Sequence, residues 1–170
     1  MKALGAVMII AAASVWGILG AMRLSARVKS LTTLIAGLNF MQSEMMTRLT
    51  PLPEVCRKAA QNAREPAKTL FQNVCAGLKS LGERQFSDIW RDAVDSTPEL
   101  LLTEPERDAL HELGSGLGRY GIDQQVALFE QVRKRLEDLL KSAESDREKN
   151  SRVYVSFGAA AGLFLVLILI

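Results

Sequence analysis

The chain has 170 residues, 48% hydrophobic and 24% charged, with a formal net charge of +2. Such a length suits about one domain, and so small a positive surplus excludes a nucleic-acid footprint. Charge and hydrophobicity are segregated: every Asp and Glu lies between Glu44 and Glu148, and every Lys and Arg except Lys2 between Arg23 and Arg152.

Residues 1–22 are predicted as a transmembrane helix. The run from Ala3 to Met22 carries no ionisable side chain, and about 20 such residues match a hydrocarbon core of about 30 Å. The rival reading is a secretory signal peptide. Against it, the stronger positive cluster (Arg23, Arg27, Lys29) follows the apolar run, and Ala-Met-Arg-Leu-Ser is a poor cleavage site.

Residues 23–152 read as a cytosolic helical bundle. Leu24, Val28, Leu31, Ile35, Leu38, Met45 and Leu49 recur in steps of four and three, with Gln42 filling one gap. That is a heptad stripe. No break separates it from the first span, so one long helix is expected to about Leu49. Pro51 and Pro53 end it, because a residue before proline leaves the α region. A second helix starts at Pro53 or Glu54 and runs to about Arg64.

Pro66 opens a third helix, with Leu70, Phe71, Val74, Leu78 and Leu81 at helical spacing and Gly82 closing it. Ser87 caps a short fourth helix that turns Ile89, Trp90 and Val94 to one side. Trp90 is expected in the core. Thr103 to Glu106 form a capping box, in which hydroxyl and carboxylate satisfy orphan amides at a helix start. Leu110, Leu113 and Leu117 are the stripe of that fifth helix, which Tyr120-Gly121 ends. Gly114 and Gly118, one turn apart, open a groove where the long first or last helix is expected to approach closely, the alternative being a groove left open for a partner protein. Asp123 is expected to cap a last helix that runs unbroken into residues 153–170.

Those last residues, VYVSFGAAAGLFLVLILI, are predicted as a second transmembrane helix. Arg147, Lys149 and Arg152 precede it, and positive residues near span ends stay in the cytosol. Both termini are therefore expected on the opposite side. The first and last helices must be antiparallel neighbours. Small residues, Ala13, Gly17 and Ala21 in one span and Gly158 and Gly162 in the other, suit contact within the bilayer. The fold class is all-α, with about six helices in the bundle.

Chemistry is sparse. There is no Walker loop, GxSxG, HExxH or dinucleotide fingerprint. His111 has no second ligand at metal spacing, and Cys56 and Cys75, far apart, read as reduced, buried thiols. No cofactor, metal or catalytic residue is expected. Arg133-Lys134-Arg135 is flanked by Glu130, Glu137 and Asp138. It reads first as a solvated helix face and second as a partner-binding patch. Neither span holds an ionisable residue, against a proton path. A tethered, non-enzymatic adaptor remains.

Several motifs carry a family resemblance. They are TPLPE at Thr50–Glu54, FSDIW around Phe86 and Trp90, and the set Leu113-Gly114, Leu117-Gly118, Asp123 and Gln125, before a terminal YVSFGAAAGLFLVLILI. In order and spacing across the whole length the chain resembles the stage III sporulation protein AB family of endospore-forming bacteria. The resemblance implies a component of the sporulation channel complex, in the outer forespore membrane with the central domain in the mother-cell cytosol. It also implies a helical domain similar to the type II secretion F-family platform proteins. Expected partners are the lipid bilayer, other sporulation channel proteins and a cytosolic secretion-type ATPase. Platform proteins have more spans and a duplicated domain, so homo-oligomerisation or another membrane partner would complete a platform. The alternative is a membrane-tethered regulator of a separate enzyme.

Overall fold

The structure is a computed structural model that describes the backbone of residues 2–119 and 121–169. Side chains are described for residues 20–119, 121 and 123–150. Among the described residues there are six α-helices and no ladder strand: α1 (Lys2–Arg48), α2 (Leu52–Asn62), α3 (Ala67–Gly77), α4 (Phe86–Asp95), α5 (Glu104–Gly116) and α6 (Ile122–Leu169). Short 3-10 turns lie at Leu78–Ser80 and Pro98–Leu100.

The two long helices organise the rest. They pack antiparallel along one another, with Ala21 and Ser25 of α1 beside Lys141 to Glu148 of α6. At the far end, α1 stops at Arg48 and α6 begins at Ile122. The short helices shuttle between the two ends. Helix α2 returns along α1, where Lys58 reaches Glu44, and α3 climbs back with Phe71 over Gly37. Helix α4 descends beside α3, and α5 ascends from Glu106 near Arg27 to Leu117 near Leu52.

The buried face of α1 is wider than a heptad stripe. Val28, Leu31, Ile35 and Leu38 are buried as expected, but so are Leu34 and Met41, whereas Leu49 is 69% exposed. A helix flanked by α2, α3 and α6 must bury more than one seam. Trp90 is fully buried, between Phe71 and Phe86 at ring distances of 6.4 and 6.0 Å. Its indole N–H donates to the Leu110 carbonyl at 2.8 Å, so burial leaves no orphan donor.

Several boundaries differ from the sequence reading. Helix α3 ends at Gly77 rather than Gly82, because the 3-10 turn takes over and Ser80 bonds the Gly77 carbonyl at 2.7 Å. Leu81, assigned to its stripe, is 43% exposed. Helix α4 starts at Phe86, with Gln85 rather than Ser87 at the cap; Phe86 must already be helical to set its ring on Trp90. Helix α5 ends at Gly116, not at Tyr120-Gly121, because Leu117 turns extended (ψ 128°) and Gly118 takes φ +80°. Helix α6 starts at Ile122, which places Asp123 inside the first turn, still favourable to the helix dipole.

The glycine groove is also corrected. Gly118 lies beyond α5 and shares no helical face with Gly114; its positive φ is what requires glycine there. Gly114 does meet a close neighbour, but it is the Trp90 side chain of α4. A methyl at Gly114 would fall 2.7 Å from Trp90 Cγ. The three atoms nearest to that methyl all belong to Trp90, and none to the long first or last helix.

Among the described residues no helix is long and apolar enough to cross a membrane. The two spans expected at 1–22 and 153–170 rest on side chains that lie, but for residues 20–22, outside the described residues. The backbone of both long helices continues through those runs without interruption.

Candidate interaction surfaces

Ion pairs tie the helices together at specific heights. Near the start of the bundle, Arg27 donates to Glu106 Oε1 through Nε at 2.9 Å and Nη2 at 2.5 Å. Glu106 Oε2 accepts the Thr103 amide at 2.7 Å, which is the carboxylate arm of the expected capping box. The cap is legible in the sequence and the pairing is not, because 79 residues separate Arg27 from Glu106. By sequence Arg27 is a topology signal only.

At the other end of α1, Glu44 is buried and accepts Lys58 at 2.7 Å and Arg48 at 3.1 Å. The Lys58 hydrogen bond, reinforced by the Arg48 charge and opposed by burial, lowers the Glu44 pKa from its ordinary 4.5. Cys56 is buried and reduced, and burial pushes its thiol up to about 12. Half-buried Cys75 is raised too, chiefly by burial. His111 Nε2 donates to the Asp95 carboxylate at 3.1 Å on the surface between α4 and α5. Among the described residues no group of acids, cysteines and histidine could hold a metal ion.

The basic run does not form one patch. Arg133 bonds Glu137 on its own helix at 2.8 Å, and Arg135 crosses to Glu112 of α5 at 3.3 Å. Gln131 bonds the other Glu112 oxygen at 2.8 Å, so this carboxylate pins α5 to α6. Lys134 is exposed. Pro51 and Pro53 sit at the corner between α1 and α2, Pro53 in the first turn of α2 where its missing N–H costs nothing.

The far end of the bundle holds the feature that sequence reasoning missed. Leu49 has φ 51°, and the Thr50 amide bonds the Glu44 carbonyl at 3.3 Å where the chain leaves α1. That position ordinarily takes glycine. Beside it, between the starts of α2 and α4 and the end of α5, a groove of about 520 Å³ opens with Leu52, Pro53, Phe86 and Leu117 among its walls.

Sequence and structure comparisons point one way. The profile described as "Stage III sporulation protein AB (spore_III_AB)" matches residues 2–170. A protein of Bacillus subtilis (strain 168) described as stage III sporulation protein AB is 28% identical over 170 residues, 99% of each chain. A solved structure of a stage III sporulation protein AB matches with a TM-score of 0.66 at 22% identity. It covers 73% of this chain and 98% of its own. That likeness concerns the fold.

Proposed function

Because the chain belongs to the stage III sporulation protein AB family, we propose that it is a non-enzymatic, membrane-anchored part of the sporulation channel complex between mother cell and forespore. In this reading it is a platform that couples a cytosolic secretion-type ATPase to the channel. The apolar runs 3–22 and 153–170 anchor it in the outer forespore membrane, with the bundle in the mother-cell cytosol and both termini opposite.

One observation supports the platform role above others. Helices α1 and α6 pass from the bundle into the apolar runs as single helices, with no linker. A domain that only hung from the membrane as a regulator would need no such stiffness. Two continuous antiparallel rods, locked by Arg27–Glu106 and by Arg135–Glu112 through α5, carry displacement from the bundle to the membrane.

The test is purification of the tagged full-length chain from sporulating cells in mild detergent. The ATPase and the channel proteins should come with it. Recovery of the chain with neither would overturn the platform reading.

A further inference from the structure

Resting on that reading, which turns the far end of the bundle into the cytosol, we propose that this end docks a partner segment that is both apolar and acidic. The far end stands roughly 40 Å along α1 from Arg23, at 1.5 Å per residue, and so lies clear of a bilayer surface.

Three observations meet there. Among the described residues the exposed large hydrophobics are Met22, Met46, Leu49, Leu81 and Leu101; Met46 and Leu49 stand where α1 ends, and Leu81 lines the groove at that same end. Leu49 is the most exposed. A branched side chain in the left-handed region is strained, and here the strain holds an apolar side chain 69% exposed. Neither core packing nor helix termination explains leucine in place of glycine. Leu101 combines the same φ of 51° with 42% exposure, so strain alone marks no site, and Leu49 enters this face by its place at the end of α1.

The groove beside Leu81 supplies the second half of the chemistry. Leu52, Leu81, Phe86 and Leu117 give it apolar walls beside the polar Gln85 and Ser87, and among the described residues its only charged lining groups are Arg84 and Arg119. Arg84 is braced by Asp92, and Arg119 is exposed on the turn after α5. Acids stand on the surrounding helices, but none of those described lines the groove. Apolar anchors would fill it, and carboxylates at their edge would meet the guanidinium groups in charge-assisted hydrogen bonds. A second copy of this chain fits poorly, because a two-fold contact would set these arginines against their own copies.

The test places a photo-crosslinking amino acid at Leu49 or Leu81 of the full-length chain in sporulating cells, with Thr33, on the side of α1, as control. Both probe sites are exposed, so the fold is left intact. Adducts should form at 49 and 81 but not at 33, and the captured peptide should carry carboxylates beside apolar residues. At equal chain levels, Arg119→Glu should cut the yield about tenfold and Arg119→Lys should largely keep it. No adduct, equal capture at 33, capture of a second copy or of lipid, or indifference to Arg119→Glu would each overturn the docking face. Identification of the captured peptide separates the two readings. An acidic segment from a protein other than the ATPase keeps the docking face and removes the ATPase coupling.

Discussion

Arg27 and Glu106 hold the start of α5 against the root of α1 through one shared oxygen, while the second oxygen of the same carboxylate caps the helix it belongs to. Glu106 is fully buried and Arg27 only 18% exposed. A buried charge that loses its partner is expensive, about 3–5 kcal/mol, because desolvation is no longer offset. Arg27→Met should therefore destabilise residues 20–150 by about 3 kcal/mol in urea unfolding. Adding Glu106→Gln keeps a capping side chain and removes the stranded charge, so the double variant should regain much of the loss. Additive losses would show that the pair is not coupled.

Gly114→Ala tests the Trp90 wedge. On an exposed helix the change stabilises by about 0.5–1 kcal/mol. Here the methyl meets the indole, which Phe71, Phe86 and the Leu110 hydrogen bond hold in place. Overpacking costs about 1–3 kcal/mol, so the net sign should be destabilising, with altered Trp90 fluorescence. A stabilised variant would mean that the indole yields.

Glu44 makes stability depend on acid. Its folded-state pKa is depressed, first by Lys58, so the unfolded chain takes up the proton earlier as pH falls. The contribution is complete above the ordinary carboxylate value and is lost as pH drops through the lower folded one. Thermal melts between about pH 6 and pH 3, a window set around the ordinary value of 4.5, should fall more steeply for the wild type than for Glu44→Gln. Parallel curves would remove Glu44 from the acid transition.

The two thiols should separate kinetically. Iodoacetamide attacks thiolate, and Cys56 is fully buried with its pKa pushed up to about 12, whereas Cys75 is half-buried. Mass spectrometry of the native protein should find Cys75 alkylated first and Cys56 only after unfolding. Equal rates would contradict the packing of α2 against the core.

Leu49→Gly should leave the fold intact or improve it. Relief of left-handed strain is worth about 1–2 kcal/mol, offset by the larger unfolded-state entropy of glycine at about 0.4–1 kcal/mol. Urea unfolding should show a gain between about zero and about 1.6 kcal/mol. A clear loss would mean that the Leu49 side chain packs against something in the fold.

Sequence alone determined the features that arise from local or repeating physics. The helical class, the break at Thr50-Pro51, the capping carboxylate of Glu106, the burial of Trp90 and the unbroken run of α6 past residue 150 all come from periodicity, proline sterics and end-group chemistry. Tertiary structure decided everything that depends on which helix lies opposite. It gave Gly114 a tryptophan as neighbour instead of a long helix, and it turned Arg27 from a flanking charge into the partner of Glu106. It split Arg133 and Arg135 between different carboxylates. It also gathered Leu49, Leu81 and Arg119 at one end, from three separate turns. Contacts across such separations leave no mark in a window of a dozen residues, because the chain's spacing fixes each helix's face but not the neighbour that face will meet.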